Sequence, residues 1–137
     1  MESFTLLIYR FLDYFFIIFH TMLIFFNVFG WLWAKTRLLN FITLNLTAFS
    51  WFVLGIWYGW GYCFCTDWHW AIRAKLKLPI YTNSYISFLI YSLTGYKLSQ
   101  HLVDTATIII FVSSYGISAY FQVKNLLKNS LLKSNKK

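Results

Sequence analysis

The sequence predicts an all-α, polytopic membrane protein, with three transmembrane helices and two short interfacial helices in the loop between the second and third spans. Three observations predict it. Of the 137 residues, 59% are hydrophobic and only 12% are charged, about half the charged share of an average soluble domain. Three apolar runs, nearly free of charge, each supply the ~20 residues that cross a hydrocarbon core about 30 Å thick at 1.5 Å per residue. The segment between the second and third runs carries start and stop signals for short helices. A chain of this length forms one domain, spanning residues 1–137, and in water it would need a polar shell that it lacks. A soluble enzyme, a disordered tail and a disulfide-stapled secreted module are thereby excluded.

The first span is expected over residues 14–33, which hold no full charge, and is entered a turn or two earlier through Leu6, Leu7, Ile8 and Tyr9, with Arg10 and Asp13 near the interface. Met1-Glu2 has no basic lead and no small-residue cleavage site follows, so a cleavable signal is not expected. Lys35, Thr36 and Arg37 form a basic turn, and the second span, residues 41–62, returns as an antiparallel neighbour. Its aromatic ends, Trp51, Trp57, Tyr58, Trp60 and Tyr62, suit the headgroup zone.

In the loop, Thr66 caps an interfacial helix over residues 66–77. Its apolar positions Trp68, Ala71, Ile72 and Leu76 recur at helical spacing, while Arg73 and Lys77 face elsewhere and Pro79 ends it. Asn83 or Ser84 caps a second helix over residues 84–94, closed by Gly95. The third span, residues 102–121, is interrupted only by Asp104. A basic tail follows over residues 124–137, with Lys124, Lys128, Lys133, Lys136 and Lys137, and is expected to fray into solvent.

The net charge of +8 does not point to nucleic acid, because the bases lie between and after the apolar runs rather than among stacking aromatics. They orient the chain instead. Seven bases fall on the side of the turn and tail and five on the side of the N-terminus and long loop, which places the C-terminus in the cytoplasm and residues 63–101 outside. The expected partners are the lipid bilayer and either a larger membrane complex or further copies of the chain.

Asp13, His20 and Asn27 recur every seven residues and share one helix face. Asp13, Asn27 and Asn45 are candidates for interhelical hydrogen bonds, with Asn27 meeting Asn45 or Thr47. Gly55 and Gly59 have the spacing that lets helix backbones approach. The segment from Gly59 to Trp70 holds Cys63, Cys65, Asp67 and His69, the densest set of chemically capable side chains. Their spacing matches no strong zinc or copper pattern. His20 lies about six residues, or 9 to 10 Å, below the outer end of its span. His20, Cys63, Asp67 and His69 are therefore expected to form one polar cluster under the outer headgroups. Metal, haem and quinone are the cofactor classes such a cluster allows, although a bis-histidine haem needs two histidines at one depth and only His20 lies well inside. Four acidic residues in all argue against paired-carboxylate catalysis, and no catalytic residue is assigned.

Asp13, His20, Asn27 and Gly30-Trp31, a basic turn, Ser50-Trp51, then Gly59-Trp60-Gly61-Tyr62-Cys63 and Thr66-Asp67-Trp68-His69, stand in an order that resembles the small bacterial membrane proteins of domain-of-unknown-function family 2784. The resemblance covers roughly residues 9–120 and implies a bacterial inner-membrane protein with no assigned activity. The family's cysteine at the place of Cys63 is followed by Pro-Leu-Thr, where this chain has Phe64, Cys65 and Thr66, so the resemblance gives Cys65 no family-wide role. Two functions compete: a non-enzymatic accessory or assembly subunit, and a redox, metal- or quinone-binding membrane protein using the outer-leaflet cluster.

Overall fold

The computed structural model describes residues 2–134 apart from Asn83. Asn83, a candidate cap, and the last three tail residues lie outside the described set. Among the described residues every regular element is a helix. Helix α1 covers Glu2–Phe29 and tightens into a 3₁₀ turn, Gly30–Leu32. Helix α2 covers Arg37–Tyr58, α3 Phe64–Lys75, α4 Tyr85–Thr94 and α5 Gln100–Ser134. Among the described residues three helices are long and apolar enough to cross a membrane: Ser3–Leu32, Arg37–Tyr58 and Gln100–Leu132.

The distribution of side chains is inside out. Among the described residues the buried side chains include Asp13, His20, Asn27, Asn40, Ser50, His69, Arg73, Ser114 and Ser118, while Phe15, Ile18, Met22, Phe25 and Ile109 lie on the outside. Water would not tolerate this arrangement. Hydrocarbon favours it, because apolar side chains lose nothing by facing lipid whereas polar ones must find partners within the protein.

The turn between α1 and α2 is tied by side chains that satisfy the carbonyls α1 leaves open at its end. Asn40 Nδ2 donates to Phe26 O at 2.7 Å and Asn27 O at 3.3 Å, Thr36 Oγ1 to Gly30 O at 2.6 Å, and Arg37 Nε to Trp31 O at 3.0 Å. Gly30 is required here because a Cβ would stand 2.9 Å from Asn40 Nδ2. Farther along, α2 widens into a π-helical stretch, Phe49–Leu54. Ser50 Oγ donates to Tyr62 O at 2.9 Å, which folds the following loop back onto the helix. The second span ends at Tyr58, short of the expected 62, because Gly59 takes φ +102° and reverses the chain. Gly55 and Gly59 thus do not form a helix–helix seam: the backbone nearest Gly55 belongs to Trp60 and Gly61, and nothing lies within 4 Å of a Cβ at Gly59.

Helix α3 starts two residues before the expected Thr66, with Cys63 as its N-cap, and stops at Lys75. Leu78 N–H bonds back to Arg73 O at 2.9 Å around Lys77, whose φ is +55°, so the chain has already left the helix before Pro79. Ser84 precedes α4, and Gly95 closes it at φ +74°. Helix α5 runs on past residue 121 through the tail to Ser134, where fraying was expected. Lysine and leucine are good helix formers, and no Gly or Pro interrupts them.

Helix α3 packs on α1, and α2 on α5. Tyr115 O–H donates to Asn45 Oδ1 at 2.9 Å across the second contact, and Asn27 Nδ2 to Thr47 Oγ1 at 3.0 Å between α1 and α2.

Candidate functional site

The seven-residue stripe of α1 faces inward along its whole length, with Asp13 and His20 each 7% exposed. Against its N-terminal part lies the face of α3 that carries Cys65, His69 and Arg73, at intervals of four, all buried. The sequence left the apolar face of α3 free to lie on lipid or on the bundle; in the structure Trp68 and Ala71 point outward, and Arg73 is 8% exposed. The reason is again the solvent. Where the surroundings are apolar, an apolar face gains nothing by turning in, while an unpaired guanidinium loses heavily by turning out.

Asp13 Oδ1 accepts from His69 Nε2 at 2.8 Å and from Arg73 Nη1 at 3.0 Å. Arg73 Nη2 reaches Pro79 O at 3.3 Å, and the guanidinium lies 4.7 Å over the Phe88 ring. His69 is 0% exposed, and its Nδ1 lies 3.0 Å from the Tyr85 hydroxyl, which is itself 3.3 Å from Phe16 O. A carboxylate only accepts, so Nε2 carries hydrogen. With the imidazole neutral, Nδ1 accepts from Tyr85. Burial lowers the His69 pKa, against the pull of Asp13, and burial raises that of Tyr85. Phe16, Trp70, Tyr85 and Phe88 surround the imidazole as an aromatic sleeve.

His20 joins this cluster by stacking on Tyr85, with ring centroids 3.9 Å apart and planes 14° from parallel. Its Nδ1 is buried with no partner among the described residues. Cys63 lies beside it. The Cys63 pKa is lowered by its hydrogen bond with Cys65, with His20 adding to the effect against the cost of burial, and Cys65 is pushed up by the same pairing. Both cysteines are free thiols.

The structure thus brings His20, Cys63 and His69 into one region and leaves Asp67 outside it. Asp67, in the first turn of α3, accepts from Tyr62 O–H at 3.3 Å on an exposed surface. It lies two residues from His69 and hence on the far side of the helix. The carboxylate that completes the cluster is Asp13, expected only as an interhelical contact. Sequence reasoning missed Arg73 and Tyr85 as members and Asn40 as the tie of the turn. Arg73 had a signal: it stands four residues from His69 and so shares its helix face.

No curated protein and no solved structure matches the chain. The family described as "Protein of Unknown function (DUF2784)" matches residues 10–123, a stretch that holds every member of the cluster, and the chain belongs to that family.

Proposed function

We propose that the protein is a non-enzymatic accessory or assembly subunit of a membrane, whose α3–α4 hairpin is the surface offered to a larger membrane partner. The observation that carries this reading is that the central polar groups bond chiefly to one another, across α1, α3 and α4. Asp13, both nitrogens of His69, and Tyr85 are all engaged by one another or by backbone. Groups so engaged hold α3 to α1, which is the work of a structural tie. Around the hairpin, Trp57, Tyr58, Trp60, Trp68 and Tyr96 stand exposed, Trp60 at 86%, and aromatic rings of this kind are frequent anchors at protein interfaces. The family resemblance supports a bacterial inner membrane, and the excess of bases on the turn-and-tail side supports a cytoplasmic C-terminus. Purification in mild detergent tests the role. The wild type retains a stoichiometric membrane partner that Trp60→Ala with Trp68→Ala loses without a change in unfolding temperature. A wild type that purifies alone, or a variant that keeps its partner, overturns the reading.

A second reading, a redox, metal- or quinone-binding protein, is favoured by the unpartnered Nδ1 of His20 beside the Cys63 thiol. Among the described residues no three His, Cys, Asp or Glu side chains converge as a metal set, so a quinone oxygen hydrogen-bonded to His20 is the form of this reading that fits best. A visible spectrum and quinone content that disappear in His20→Ala support it. A colourless, quinone-free wild type rejects it.

A further inference from the structure

All four acidic residues, Glu2, Asp13, Asp67 and Asp104, belong to the N-terminal helix, the long loop or the start of α5. The opposite end of the molecule is purely basic. There Trp31 stacks on Phe121 with centroids 6.5 Å apart, which sets the α1–α2 turn level with the point where α5 has run about 30 Å from Gln100, one hydrocarbon thickness. Arg37 sits over the same Phe121 ring, its Cζ 3.7 Å from the centroid, and its Nε is committed to Trp31 O. The stacked guanidinium is thus fixed in place, and its two terminal nitrogens meet no acceptor among the described residues. Phe121, Lys124 and Lys128 follow one another on one face of α5, over a rise of about 10 Å. Beside them on the same helix runs an exposed apolar strip of Val123, Leu127 and Leu131, adjoining the two lysines.

We propose that this face binds an anionic phospholipid, whose phosphate sits between Arg37 and Lys124, with Lys128 on a second polar group of the head and the apolar strip of α5 against its glycerol ester and chain. The inference goes beyond the accessory-subunit reading and does not depend on it. The choice of occupant follows from chemistry. The site asks for negative charge and hydrocarbon in one ligand, at the depth where a span leaves the bilayer, and an anionic lipid supplies both. A second copy of the chain seated on this face in parallel would bring Lys124 and Lys128 against their own equivalents with no acid nearby, an arrangement that like charges oppose. Arg is suited to the phosphate because its planar fork donates two bonds at once, and stacking on Phe121 pre-orients it.

The test uses the full-length protein in neutral detergent, titrated with phosphatidylglycerol, phosphatidylcholine or inorganic phosphate, with unfolding temperature and native mass spectrometry as readouts. Phosphatidylglycerol is expected to raise the unfolding temperature and remain bound in the spectrometer, with phosphatidylcholine and inorganic phosphate doing neither. Lys124→Gln with Lys128→Gln, both exposed, is expected to weaken phosphatidylglycerol binding by about twenty-five-fold, roughly fivefold for each lysine removed. Arg37→Lys, which keeps the charge and loses the stacked fork, weakens it further. Equal responses to phosphatidylglycerol and phosphatidylcholine, a full response to inorganic phosphate alone, or an unchanged affinity in the double lysine variant would each overturn the proposal. So would a detergent-resistant dimer that the double lysine variant strengthens.

Discussion

Asp13 accepts from two donors at a single oxygen, and both come from α3. With the carboxylate and the guanidinium each about 10% exposed, removing one leaves the other charged and buried, a change that typically costs about 3–5 kcal/mol. Asp13→Asn and Arg73→Gln are each expected to lower stability on that scale in detergent unfolding, and the double variant by clearly less than the sum. His69 gives the cluster a dependence on pH. Burial lowers its pKa in the folded state, so below the unfolded value of about 6.5 the unfolded chain binds a proton that the folded chain does not. Stability is therefore complete above that pH and falls as the medium is acidified through it. The measurement is unfolding temperature between pH 8 and 5, and His69→Gln is expected to flatten that fall. Tyr85→Phe removes the hydroxyl partner of Nδ1 and is expected to cost about 1–2 kcal/mol.

At the scale of elements, two glycines make opposite demands. A Cβ on Gly30 would meet Asn40 Nδ2 at 2.9 Å and Asn40 Cβ at 3.0 Å. Gly30→Ala therefore displaces the very side chain whose amide satisfies Phe26 O. Its expected cost is about 1–3 kcal/mol, from overpacking and a lost buried hydrogen bond together. Gly59 has open space and a positive φ, so Gly59→Ala meets only backbone strain, about 1 kcal/mol. Unfolding of the two variants in detergent should rank them in that order. The α3 helix carries a broader lesson. Its period of 3.6 was legible, and so was the identity of its two faces; the choice of which face to bury was not. In water Trp68 and Ala71 would have turned inward, but against lipid the buried face is Cys65, His69 and Arg73.

For the whole molecule, three crossings by the long helices are expected to put the α1–α2 turn and the C-terminal part of α5 on one side and the α3–α4 hairpin on the other. A reporter fused after Lys137 is expected to read as cytoplasmic, and a membrane-impermeant thiol reagent to reach Cys63 from outside intact cells. Cys65 is buried where Cys63 is only half-buried, so Cys63→Ser should remove most of the labelling. Labelling confined to opened cells would invert the orientation. The three crossing helices and the two short ones were legible in the sequence, since each depends on the composition and spacing of a contiguous stretch. Their ends were less so: the second span stops at Tyr58 because of Gly59's backbone, and α5 continues through a lysine-rich tail that composition alone marked as solvated.

By itself the sequence determined that apolar runs of bilayer length alternate with basic turns, because hydropathy and helix length are local properties that add along the chain. It also determined that Asp13 and His20 share a face, because the helical period is fixed. Only the tertiary structure decided which groups meet that face: Arg73 and Tyr85, sixty and more residues away, and not Asp67, which sits beside His69 in the chain. The physical reason is that a buried charge is stabilised by whichever partner the packing brings within about 3 Å. In an apolar solvent, the pairing of those few charges selects which side of a loop helix faces the protein.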